Sequence, residues 1–143
     1  MEEYSISSDK KKLDIKLIHK FLSEESYWAK GMSLETFKRS VENSMCFGIY
    51  KGREQVGFAR VISDHATFAY LADVFVLPDY RNKGLSKRLM ENIIDHPELQ
   101  GLRRWLLGTA DAHGLYVKYG FTPIAKPERM MERHNPDVYK SSN

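Results

Sequence analysis

Between Val76 and Met90 the chain reads VLPDYRNKGLSKRLM, a hydrophobic run that passes through a cationic turn into an amphipathic segment. Arg81, Asn82, Lys83, Gly84, Leu85 and Ser86 occupy that turn, and Lys87 follows it. The first N–H groups of a helix lack intrahelical acceptors and carry partial positive charge, so they accept the oxygens of an anion. Gly84 has no Cβ to keep such a ligand away, and Arg81 and Lys83 add charge at the rim. The chemistry this stretch suits is the binding of a phosphate or pyrophosphate. Alone, it fits a solvated surface turn better. The glycines of a P-loop or of a dinucleotide fold are missing.

The elements that must carry this turn follow from periodicity. Thr67–Leu77 is too apolar for an edge and predicts a central strand, and Leu85, Leu89, Met90, Ile93 and Ile94 share one helical face, with Pro97 beyond its end. Upstream, Leu13–Leu22 and Leu34–Asn43 have helical spacing, the second with Ser33 as N-cap. Tyr4–Ser7 reads as a short strand, and Met45–Tyr50 and Gln55–Ile62 read as a hairpin. Downstream, Arg104–Thr109 predicts a buried strand, Ala112–Tyr119 a helix closed by Gly120, Phe121–Ala125 a further strand, and Arg129–Arg133 a weak last one. The tail after Asn135 reads as solvated. This order gives a mixed α/β sheet.

Length and charge narrow the classes. With 143 residues, 42% of them hydrophobic, the chain suits one domain spanning 1–143. A formal net charge of +3 demands neither a nucleic-acid nor a membrane partner, and no run approaches the ~18 apolar residues of a membrane span. The acidic start is no secretory signal, and the single cysteine, Cys46, in the run MCFGIY, reads as a core thiol. These features predict a cytoplasmic protein. The five histidines are scattered, so no metal site is expected.

Two motifs carry a resemblance. Arg81, Gly84 and Ser86 occupy the three places of an Arg/Gln-x-x-Gly-x-Gly/Ala signature, and Ala112, Leu115, Tyr116, Gly120 and Phe121 match an Ala-x-x-Leu-Tyr-x-x-x-Gly-Phe element. Together, in this order, they resemble the GNAT N-acetyltransferase superfamily, and the order of elements does so from Tyr4 to Ala125. Ser86 departs from the usual Gly or Ala. The resemblance implies a central mixed sheet of about six or seven strands flanked by about four helices. It implies acetyl-CoA as co-substrate, no metal, and direct transfer of acetyl to a primary amine, with a small-molecule acceptor. Its size is compatible with a homodimer. A protein N-acetyltransferase and a non-catalytic acetyl-CoA sensor are the alternatives.

The resemblance also distributes roles. The central strand is expected to splay from its neighbour after Val76, leaving N–H groups at Phe75, Val76 and Leu77 for the pantetheine arm and the thioester oxygen. Arg81 to Ser86 hold the pyrophosphate, while Thr109 stands where the family often has an asparagine contacting pantetheine. Tyr116 matches the tyrosine facing the coenzyme sulfur and suits a general acid, whereas Tyr119 is assigned to packing. Asp73 interrupts an apolar strand and is open between a base, a recognition site for the substrate ammonium and a structural partner of Arg60. Asp111 is read as an N-cap and His113 as solvated. Tyr27, Trp28 and Tyr70 are placed around the acceptor, where aromatic faces enclose an alkyl chain or a cation. Opposed to all of this stands a nucleic-acid patch of Arg81, Lys83, Lys87, Arg88, Arg103 and Arg104, which predicts steep salt dependence and indifference to coenzyme A.

Overall fold

The computed structural model describes residues 3–140. Five strands form one sheet in the order of the chain: β1 (Tyr4–Ser7), β2 (Met45–Lys51), β3 (Glu54–Ser63), β4 (Phe68–Val76) and β5 (Arg104–Leu107). The pairs β1 to β4 are antiparallel, and β4 and β5 are parallel, joined through the crossover helix α3 (Leu85–Ile94). Helices α1 (Ile15–Lys20) and α2 (Leu34–Glu42) lie between β1 and β2, and α4 (His113–Val117) follows β5. Helix α1 is shorter than its periodicity suggested, because the chain widens into a π-helical turn over Phe21–Glu25.

Helix boundaries follow local chemistry. Ser33 Oγ accepts from the N–H of Thr36 at 3.1 Å and starts α2. Gln55, fully inside the molecule, accepts from the N–H of Asp14 at 2.7 Å and donates to Gly57 O at 2.9 Å, so the start of α1 is fastened to β3 without an unpaired amide. The sheet is covered on both faces. Ile18, Leu22, Phe37 and Val41 of the first two helical segments pack on Cys46, Phe58 and Phe75. Leu85, Leu89, Met90 and Ile93 of α3 pack on Phe47, Ile49, Val61, Ala69 and Leu71.

Two expected strands are absent. Phe121–Ala125 and Arg129–Arg133 form no strand, and only a 3-10 turn, Pro127–Arg129, interrupts the irregular path there, so the sheet has five strands rather than six or seven. Pro123 cannot donate to a ladder, and beyond Phe121, which packs edge-on against Trp105 at 6.2 Å between centroids, the segment is exposed.

Strand β4 contains a bulge. Phe58 faces Phe75 while Arg60 faces Ala72, so β4 carries one extra residue, and Asp73 there has φ +56°, the left-handed region. The extra residue inverts the alternation of faces: Ala69 and Leu71 point to the α3 side ahead of it, Val74 and Val76 after it. Phe75 is thereby delivered to the opposite layer, where it stacks on Phe21 with 4.0 Å between centroids.

One fully enclosed side-chain oxygen lacks a partner among the described residues. The Tyr50 hydroxyl is buried without a hydrogen bond, over Gly48, where any Cβ would strike the ring. Burial, reinforced by Asp9, Cys46 and Asp14, pushes this phenol up to about 12. An unfolded tyrosine ionises near pH 10, so between pH 10 and 12 the unfolded chain has released a proton that the native one keeps, and stability falls as pH rises. Tyr50→Phe is expected to leave stability at neutral pH unchanged or raise it by up to ~1 kcal/mol, and to flatten the fall of Tm between pH 10 and 12, as read by thermal melts across that range.

Candidate active site

The parallel pairing of β4 with β5 runs from Phe68 and Arg104 to Leu71 and Leu107 and stops there, just ahead of the bulge. Beyond that point the two chains part. Leu77 donates its N–H to Val56 O at 2.8 Å, so of the three amides expected to face the coenzyme, that of Leu77 is committed to β3. The alternation of an antiparallel ladder then turns the N–H of Phe75 to β3 and that of Val76 to the gap. The opened edge thus offers Val76 rather than all three.

The turn before α3 is built for close approach. Asn82 and Gly84 have φ +63° and +77°, and nothing lies within 4 Å of where a Cβ on Gly84 would stand. The first helical bond runs from the Arg88 N–H to Gly84 O at 3.1 Å, so the N–H groups of Leu85, Ser86 and Lys87 have no intrahelical acceptor and no side chain caps them. No acid occupies this first turn, and Lys83 and Lys87 are exposed beside it, an arrangement that opposes the helix dipole until an anion is added. Arg81 is exposed, yet its Nε donates to Val76 O at 2.8 Å and braces the turn against the end of β4. The other cations do not join one patch, since Arg88 reaches the Tyr4 carbonyl at 3.3 Å and Arg104 lies against Met130.

On the other side of the parting strands lies a cavity of about 370 Å³. Tyr27, Trp28, Tyr70, Asp73, Thr109 and Tyr116 all line it, from four separate stretches of chain. Tyr116 is buried, and burial first, then Asp111 and Tyr27, raises its phenol above the ordinary value, so it is protonated at neutral pH. Its hydroxyl has no hydrogen-bond partner among the described residues, whereas Tyr119 donates to Lys87 O at 3.1 Å and ties α4 to α3. Thr109 Oγ1 accepts from the Ala112 N–H at 3.0 Å. This bond shapes the turn before α4, whose start carries no side-chain cap, and Asp111, expected to be that cap, stands exposed at the rim. His113 is exposed. The Tyr27 hydroxyl accepts from the Ala110 N–H at 3.2 Å and joins the loop after α1 to the loop after β5.

Asp73 is buried with both oxygens occupied: Arg60 Nε donates to one and Trp28 Nε1 to the other, each at 2.8 Å. The pairing with Arg60 was one of three readings open from sequence; the bond to Trp28 was not foreseen, because 45 residues separate the partners. Sequence reasoning also missed Tyr139, a lining residue from the segment taken to be solvated. No cluster of His, Cys, Asp or Glu among the described residues is placed to hold a metal, and no described helix is long and apolar enough to cross a membrane.

The sequence model described as "Acetyltransferase (GNAT) family" matches residues 15–121. The chain belongs to this family. A crystal structure from Xanthomonas campestris pv. campestris, described as belonging to the GNAT family, is 53% identical and superposes with a TM-score of 0.95 over 96% of this chain and 97% of its own. The curated Gibberella zeae protein named "Putative acetyltransferase FG08082" is 31% identical over 138 residues, covering 81% of this chain and 77% of its own. A GNAT family acetyltransferase from Elizabethkingia anophelis, solved with acetyl-CoA bound, shares the fold at 16% identity, with a TM-score of 0.61 over 85% of this chain and 78% of its own. GNAT membership thus fixes the acetyltransferase family and its fold.

Removing one member of the buried pair leaves the other charged and unpaired. Asp73→Ala is expected to cost about 3 kcal/mol in chemical denaturation and to shift the Trp28 emission, whereas Asp73→Asn, which tolerates the left-handed backbone, costs less.

Proposed function

We propose that this protein transfers an acetyl group from acetyl-CoA to a primary amine of a small molecule, by direct attack within a ternary complex. The observation that carries the reading is the uncapped start of α3 beside a strand gap that ends at a buried, protonated tyrosine. The orphaned N–H groups of Leu85, Ser86 and Lys87 would receive the pyrophosphate, with Asn82, Gly84 and Lys83 around it. Ser86, half-buried on the first turn, is small enough to admit it. The pantetheine arm would follow the free edge of β4, and the N–H of Val76 would polarise the thioester oxygen.

A neutral amine in the cavity attacks the thioester carbon, its new C–N bond forms, and the C–S bond breaks. Tyr116 gives its proton to the departing thiolate and regains one from solvent, while the amine releases its extra proton through water. The phenol stays protonated at neutral pH, so it has a proton to give when the thiolate departs. Asp73 is ill suited to act as base, since both its oxygens already accept, from Arg60 Nε and from Trp28 Nε1. Its role is to hold the Trp28 ring as a wall of the acceptor side. Tyr27 and Tyr70 complete that wall, and Thr109 acts by shaping the turn before α4.

The test incubates the purified protein with acetyl-CoA and a small-molecule extract and follows newly acetylated amines by mass spectrometry, with Tyr116→Phe alongside. A product formed by the wild type and reduced by about 100-fold in Tyr116→Phe, at unchanged acetyl-CoA affinity, is expected. Equal rates reassign Tyr116 to packing; binding of acetyl-CoA with no product favours a sensor or a macromolecular acceptor. Gly84→Asp places a carboxylate where the phosphates approach, in a backbone conformation aspartate tolerates, and is expected to abolish acetyl-CoA binding measured by calorimetry at an unchanged Tm. Retained affinity would remove the turn from the coenzyme site.

A further inference from the structure

From Thr122 to Lys140 every side chain is exposed except that of Tyr139. This one ring packs against the apolar cluster of Ile18, Leu22, Ala29 and Met32 and lines the same cavity as Trp28, Asp73 and Tyr116. Its seat is specific. A Cβ on Gly31, which has φ +85°, would stand 2.7 Å from the Tyr139 carbonyl oxygen, so only glycine lets the two backbones meet there. The turn presenting the ring is held by its own bonds: Val138 N–H to Asn135 O at 3.3 Å, Lys140 N–H to Asp137 O at 3.0 Å, and the Lys140 ammonium on the Asp137 carboxylate at 2.9 Å. A polar segment that spends its single protected side chain on the rim of a cavity is positioned with respect to whatever enters that cavity.

The charge around the cavity indicates what enters. Arg60 and Asp73 neutralise each other, and Asp111, exposed at the rim, has no cationic partner among the described residues. Five aromatic rings, those of Tyr27, Trp28, Tyr70, Tyr116 and Tyr139, surround the space. Aromatic faces and one uncommitted carboxylate favour cations with an apolar body, and the one cation that lines the cavity, Arg60, is held through its Nε by Asp73.

We propose that Tyr139 is a specificity-determining wall of the acceptor pocket, and that the acceptor is a cationic amine with an alkyl or aryl body held between this ring and Trp28. The inference rests on the acetyl-transfer reading and names its substrate class. Tyr139 governs the capture of the acceptor and leaves the coenzyme side untouched.

The experiment measures coenzyme A release from acetyl-CoA with phenethylamine, cadaverine and glucosamine 6-phosphate as probe amines, for the wild type, Tyr139→Ala and Tyr139→Phe. The wild type is expected to prefer the first two. Tyr139→Ala is expected to raise their KM by about tenfold, with the KM for acetyl-CoA within about twofold and kcat less affected, while Tyr139→Phe restores the acceptor KM. Identical acceptor KM values and ranking in wild type and Tyr139→Ala would overturn the role of Tyr139 and leave acetyl transfer standing. A preference for glucosamine 6-phosphate would overturn the substrate class. Consumption of no probe by a wild type that binds acetyl-CoA would overturn this inference together with the small-amine reading.

Discussion

The site depends on one residue held in an uncommon backbone conformation. Asp73 inserts an extra position into β4 at φ +56°, and a non-glycine residue adopts that conformation only where its surroundings over-determine it. Here they do, through the Arg60 guanidinium on one oxygen and the Trp28 indole on the other. The bulge inverts the faces of the strand, sends Phe75 to the helix α1 layer and Val76 to the α3 layer, and lies immediately beyond the last pairing with β5. Strand gap, aromatic wall and coenzyme edge meet at this position.

A second constraint is electrostatic. Helix α3 begins on a left-handed glycine with no capping side chain and with lysines where acids would suit the dipole. A fold that gains packing from Leu85, Leu89, Met90 and Ile93 can tolerate this local cost, because burial of that face outweighs a few tenths of a kcal/mol at the helix end. The same helix therefore serves the core and, in the proposed function, receives the anion. Its two duties do not compete, since they use opposite ends of the residue: side chains inward, and backbone N–H groups along the axis.

The two sides of the site are made differently. The side proposed for the coenzyme consists of backbone, from Val76 and from Gly84 to Lys87, and its chemistry is that of unpaired amides. The side proposed for the acceptor consists of side chains contributed by the loop after α1, by β4, by α4 and by the segment around Tyr139. Backbone sites recognise what all members of a family share, whereas side-chain walls can change without disturbing the sheet.

The sequence by itself determined the elements and the glycine turn. The apolar periods of β2, β3, β4 and α3 and the Ser33 cap are local, and a local pattern is visible in one chain. The motifs around Gly84 and Tyr116 sit within single elements and could be recognised for the same reason. Tertiary structure alone decided that Phe121–Ala125 does not join the sheet and that Leu77 is spent on β3. It alone decided that Asp73 binds Trp28 and that Tyr139 closes on Gly31. Each of these rests on a contact between residues distant in the chain, and the free energy of such a contact depends on what the fold brings within a few ångströms, which no spacing along the sequence encodes.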